Sequence, residues 1–145
     1  MSLGFRGRPR ASTTSIEFVI PIPPVPAGRP RAFKRGAFVS VYMPPHCKAY
    51  QEAVAVYAQA AASAQRWSTD NDHTYMVTLW VNRARRMGDW DNFGKLVCDG
   101  LNGILWGDDR QVRAGQVFLL DRKEICPSTL VLVERLSTET LTSED

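Results

Sequence analysis

Between Gly88 and Val112 the chain reads GDWDNFGKLVCDGLNGILWGDDRQV, which places Asp89, Asp91, Asp99, Asp108 and Asp109 in one short stretch. Asp89 and Asp91 are two residues apart, so on extended backbone their carboxylates point the same way. Past Asp91 the period changes. On a helix Asp91, Lys95 and Asp99 stack on one face, while Phe93, Leu96, Val97 and Ile104 form the opposite, buried face. Asp108 and Asp109 follow Gly107 directly before the next strand, so the two ends of this segment are expected to converge. Crowded carboxylates stay ionised only beside a cation, and an all-oxygen donor set selects a hard ion, Mg²⁺ or Mn²⁺. A helix start near Asp91 adds a dipole that favours negative charge. No His-Glu-x-x-His pattern competes for zinc, and His46 and His73 have no matching partners. Each acid also has a plainer use. Asp89 or Asp91 can cap a helix, Asp108-Asp109 can form a turn, and Lys95 can make a surface ion pair.

These side chains need strands and helices to hold them. Ile16, Phe18, Ile20 and Ile22 alternate as a half-buried strand that ends at Pro21, Pro23, Pro24 and Pro26. Gly28 to Gly36 reads as a basic loop, followed by a short strand from Ala37 to Tyr42. The alanine-rich run from Pro45 to Arg66, with Tyr50, Val54 and Tyr57 at helical spacing, predicts a helix. Tyr75, Val77, Leu79 and Val81 alternate with Met76, Thr78, Trp80 and Asn82, which predicts a strand. A second helix is expected from Asp91 to Leu105, then strands over Gln116–Leu120 and Thr129–Glu134 joined as a hairpin. The strand–helix–strand run from Tyr75 to Leu120 predicts one crossover. The class is α/β (α+β), a mixed sheet of four or five strands covered by two main helices.

At 145 residues, with 44% hydrophobic and 23% charged side chains, the chain suits one globular domain. Residues 1–14 read as a flexible basic arm, 15–135 as the folded domain and 136–145 as an acidic tail. No apolar run approaches the roughly 18 residues of a membrane helix, and no signal-peptide core follows the N-terminal arginines. Cys47, Cys98 and Cys126 are odd in number and lack C-x-x-C spacing, which argues against a disulfide framework and fits the cytoplasm.

The net charge of +3 conceals an asymmetry. Residues 1–36 carry Arg6, Arg8, Arg10, Arg29, Arg31, Lys34 and Arg35 against Glu17 alone, whereas the last stretch is acidic. Arg83, Arg85 and Arg86 form a second basic group just ahead of the aspartates. Basic patches around carboxylates suit a polyanion together with a bound cation. Arg29, Arg31, Lys34, Arg35, Arg83, Arg85 and Arg86 are the candidates for phosphate contacts that position nucleic acid without reading its sequence.

The pattern D-x-D-N-x-x-K-x-x-x-D-x-L, followed by D-D-x-Q-V, resembles the RusA family of Holliday junction resolvases. Here it is Asp89, Asp91, Asn92, Lys95, Asp99 and Leu101, then Asp108, Asp109, Gln111 and Val112. The upstream Pro21-Ile-Pro-Pro, Gly28-Arg-Pro-Arg31, Tyr42-Met-Pro44 and Tyr50 agree, so the resemblance spans roughly residues 15–135. It implies a compact α/β homodimer that cuts four-way DNA junctions with Mg²⁺. The family's catalytic acids fall on Asp89, Asp91 and Asp109, and its active-site lysine on Lys95. The basic arm and Trp90, where an aliphatic residue is expected, depart from the pattern. The reaction so implied is phosphodiester hydrolysis, with a metal on Asp89, Asp91 and Asp109 activating water and Lys95 countering phosphate charge. The outcome would be paired symmetric nicks in recombination and repair. Two other readings remain: a less structure-selective nuclease, and a DNA-binding module without catalysis.

Overall fold

The computed structural model describes residues 14–27, 31–35, 38–83, 86 and 88–136, with backbone alone over 31–35 and 38–42. Nearly all of the basic arm and the acidic tail, with Arg29 and Arg85, lie outside the described residues.

The alternation around residue 78 forms β4 (Thr74–Asn82), and its inward set Tyr75, Val77, Leu79 and Val81 is buried. Two neighbours flank it. β5 (Val112–Leu119) pairs parallel with β4, Trp80 opposite Phe118, and β6 (Ser128–Leu136) pairs antiparallel, Trp80 opposite Leu130. β1 (Ser15–Ile20) then pairs antiparallel with β6, giving the order β1-β6-β4-β5. The mixed sheet thus has four strands, the lower of the two expected counts. The anticipated β5–β6 hairpin does not form, because β6 inserts between β4 and β1 instead. Both of its edges then find partners, and Val131 and Val133 enter the core.

A second, two-stranded sheet pairs β2 (Arg31–Arg35) with β3 (Phe38–Tyr42), Arg35 opposite Phe38. Much of the segment expected to be a basic loop is therefore strand. The backbone of Arg31, Lys34 and Arg35 lies on β2.

Two helices cover one face of the large sheet. α1 (Pro45–Ala64) buries Cys47, Tyr50, Val54, Ala58, Ala61 and Ala62. α2 (Trp90–Leu101) buries Phe93, Leu96, Val97 and Leu101, each worth roughly 1.5–3 kcal/mol of burial. The small residues let the helices approach. A Cβ on Gly100 would lie 2.9 Å from Val54 Cβ and 2.8 Å from the Gln51 carbonyl. α2 stops four residues short of the expected Leu105, because Asn102 turns extended and Gly103 takes φ +84. Ile104 consequently packs from a turn.

The other face of the sheet carries an apolar row, Val19, Leu130, Trp80 and Phe118, with the Trp80 and Phe118 rings stacked 5.9 Å apart. Val19 and Phe118 stay 51% and 44% exposed. No helix of the described residues is long and apolar enough to cross a membrane.

Candidate active site

The crossover β4–α2–β5 positions the acids. β4 ends at Asn82, whose buried amide organises the return loop from β5. Its Nδ2 donates to the carbonyls of Arg122 (3.1 Å) and Ile125 (2.9 Å), and its Oδ1 accepts from Arg122 N–H at 2.6 Å. Arg83 follows. Its guanidinium donates twice to Asp121, Nε at 2.7 Å and Nη2 at 2.5 Å, and once to the Gly88 carbonyl at 2.9 Å. These bonds from Arg83 hold the Asp121 carboxyl below its usual range. Arg83 therefore latches two loops, and its charge is largely spent inside the fold. Arg86, 85% exposed in its side chain, lies 4.0 Å from Asp121. Together with Arg122 and Lys123 these arginines line a cavity of about 300 Å³. The sequence reading missed Arg122 and Lys123, which become neighbours of Arg83 only through the parallel β4–β5 pairing.

Gly88 has φ +87, and a Cβ there would lie 2.9 Å from Pro26. The chain leaving β1 is thus pressed against the start of α2, and Ala27 N–H donates to the Asn92 carbonyl at 2.9 Å. Asp89 occupies the N-cap position but makes no side-chain cap bond, and Asp91 lies in the first turn. Both are exposed, and neither carboxylate accepts a hydrogen bond from the described residues. Helix capping does not account for either side chain.

Further along α2, Lys95 Nζ donates to Asp99 Oδ2 at 2.9 Å, the surface pair anticipated as one plain reading. Beside them Cys98 is pushed up to about 11, first by burial and then by the Asp109 and Asp99 carboxylates.

Asp108 and Asp109 differ sharply. Asp108 caps the 3-10 turn Asp109–Gln111. Its Oδ1 accepts from Arg110 N–H at 2.8 Å, and its carboxylate pairs with the Arg110 guanidinium at 3.2 Å. The arginine holds that carboxyl below its usual range. Asp109 is exposed and accepts from Trp106 Nε1 at 3.0 Å. The turn is pinned by Gln111. Its Oε1 accepts from Gly107 and Asp108 N–H (2.9 and 2.8 Å), and its Nε2 donates to the Asp70 and His73 carbonyls (2.9 and 2.8 Å). The Asp108-x-x-Gln111 spacing is a capping-box signature visible in the sequence, although no such use of Gln111 was anticipated.

The structure brings Lys95, Asp99 and Asp109 around Cys98, and sets Asp89 beside Arg83, within electrostatic reach. It does not bring the three expected ligands into one cluster. Asp89 and Asp91 stand at the start of α2, while Asp109 lies within electrostatic reach of Cys98 in its last turn. Among the described residues no three acidic, histidine or cysteine side chains gather closely enough to hold a metal ion. The donor chemistry of Asp89, Asp91 and Asp109, exposed carboxylate oxygens, does suit a hard divalent ion.

The crossover thus carries exposed carboxylates, and the loops at the end of β4 and after β5 line an arginine-rich cavity. The family model for Endodeoxyribonuclease RusA matches residues 21–134. The chain belongs to this family of Holliday junction resolvases, which are endodeoxyribonucleases. No curated protein matches it.

Proposed function

We propose that this chain is a Mg²⁺-dependent endonuclease that resolves four-way DNA junctions by paired symmetric nicks, as a homodimer, in cytoplasmic recombination and repair. Mn²⁺ would substitute. The observation that carries the reading is the family match over residues 21–134, which contains all of Asp89, Asp91, Lys95 and Asp109. Asp89, Asp91 and Asp109 would hold the ion, which would supply Lewis-acid polarisation of phosphate and an acidified water.

The protein's own groups do the rest. Asp89 and Asp91 present oxygens without a hydrogen bond from the described residues at the start of α2, open to an incoming cation. Lys95, drawn from Asp99, counters negative charge building on phosphate. Arg31, Lys34, Arg35 and Arg86, with Arg29 and Arg85, hold the junction arms through phosphates, while Arg83 acts by fixing the loop after β4 that carries Arg86. Because α2 separates Asp109 from the Asp89–Asp91 pair, a second copy completes the set. A two-fold dimer also supplies the two sites that paired nicks require.

The deciding experiment is cleavage of a synthetic four-way junction beside linear duplex, with Mg²⁺ or with chelator. Junction products that vanish in chelator support the proposal. Equal cutting of duplex favours a less selective nuclease, and binding without cutting under every condition favours a non-catalytic module.

A further inference from the structure

Trp106 is fully buried, at 0% exposure, and its ring packs against Tyr75 with centroids 6.2 Å apart. Its backbone carbonyl accepts from Gly103 N–H at 2.8 Å, so the residue is fixed at both main chain and ring. The polar edge of this core side chain is not spent inside the core. Nε1 donates to Asp109 Oδ1 at 3.0 Å, reaching out to an exposed carboxylate. Asp109 Oδ2 accepts no hydrogen bond from the described residues.

We propose that Trp106 is a positioning residue for Asp109: its indole N–H pins one carboxylate oxygen and leaves the other turned to an incoming divalent cation. The proposal rests on the reading of Asp109 as a functional acid. Several features make the indole suited to this. It donates only, so it never competes for the cation. It is rigid and anchored in the core, so the oxygen it holds has one direction rather than a range. Gln111 fixes the backbone of the same turn by its four hydrogen bonds, so side chain and main chain of the acid are both set. The neighbouring aspartate is the contrast. Asp108 gives both oxygens to Arg110 and the turn, as a cap does, and has none turned to a cation. The two adjacent acids thereby have different jobs, assigned by their donors.

Outer partners that orient metal-binding carboxylates are typically worth about 10–100-fold in metal affinity or activity. The test replaces the N–H and keeps the ring. Trp106→Phe is one variant, and the sulfur isostere benzothienylalanine at position 106 is the second, since it preserves shape if phenylalanine unfolds the core. Mn²⁺ binding to the full chain is measured by calorimetry, and junction cleavage is measured across a Mg²⁺ titration. The expected result is Mn²⁺ affinity weakened about 10-fold, with the half-saturating Mg²⁺ raised equally. Junction affinity in chelator should stay unchanged, and cleavage should recover at high Mg²⁺. A folded isostere variant with wild-type Mn²⁺ affinity and Mg²⁺ curve, in an assay where Asp109→Asn is inactive, overturns the positioning role. Wild-type chain that leaves the junction intact at every Mg²⁺ concentration overturns instead the functional reading beneath it.

Discussion

At the start of α2, Asp89 and Asp91 stand in solvent with no hydrogen bond from the described residues, whereas beyond its far end Asp108 and Asp109 sit in a turn stitched by Gln111, Arg110 and Trp106. Both regions carry paired acids, yet only one is organised in advance. An acid held by fixed donors arrives at its task oriented. An unheld pair must be ordered by whatever binds it, and ordering a rotamer-rich side chain costs about 0.5–1.5 kcal/mol. Fixed hydrogen bonds are concentrated in the turn, and among the described residues none reaches the two carboxylates at the helix start.

The largest effect separates function from stability at both regions. Asp91→Asn and Asp109→Asn should each lower junction cleavage by about a thousandfold or more, the scale of losing a key electrostatic group. Junction affinity should stay equal or rise, because each change removes negative charge near phosphate. Mixing the two inactive variants should restore nicking of one strand, since one site in each mixed dimer then regains all three acids. Mixtures as dead as their components would mean that the acids of a single chain suffice together.

Next comes stability, where the regions should part company. Gln111→Ala removes four hydrogen bonds and strands two backbone N–H groups, so urea melts should show a loss of about 2 kcal/mol. Asp108→Ala should lower Tm by less, through loss of its cap, while Asp89→Ala leaves Tm unchanged, having no cap bond to lose. Equal Tm losses at Asp89 and Asp108 would erase the contrast.

A smaller effect is pH-dependent. Asp108 and Asp121 have carboxyl groups lowered by Arg110 and Arg83 respectively. A folded value below the unfolded one means that their stabilisation is complete above the ordinary range near 3.8 and fades as pH falls through the lowered values. Melting temperatures between pH 2 and 5 should therefore fall less steeply in Asp121→Asn than in the wild type. The smallest effect concerns DNA. Reversing the charges of Arg85 and Arg86 should reduce the slope of log affinity against log salt by about two. An unchanged slope would place both side chains away from phosphate.

Much of this arrangement is legible in residue patterns. The alternation in β4, the apolar stripe Phe93, Leu96 and Val97, and the crossover between β4 and β5 all follow from periodicity, which is local. The insertion of β6 between β1 and β4 is not local. Strand order depends on which edges find partners after the chain has turned, and DRKEICPS reads equally well as a hairpin loop. The early end of α2 hinges on Gly103, a single residue within a pattern that otherwise continues. Of the candidate site, spacing singles out the aspartates and the shared helical face of Asp91, Lys95 and Asp99, and the choice of Asp89, Asp91, Asp109 and Lys95 among them comes from the family resemblance. Trp106 could not, because a tryptophan among apolar neighbours reads as core, which it is, and nothing in its spacing reveals that its N–H meets Asp109. The β2–β3 pairing was hidden by a run of charge that masked its strand character.

Trp90 lies between the two unheld acids and is 60% exposed, while Trp67 and Trp106 are buried and Trp80 is stacked on Phe118. Of the chain's four tryptophans, the most solvent-facing is thus the one whose neighbours in sequence are Asp89 and Asp91. An indole this exposed should emit at longer wavelength than the two enclosed rings. A paramagnetic ion or a stacked nucleobase arriving at the start of α2 would quench that red component first and leave the blue one intact. If the proposed ion or junction docks there, Trp90 would serve as an optical gauge of occupancy at the acid pair, readable without any added dye.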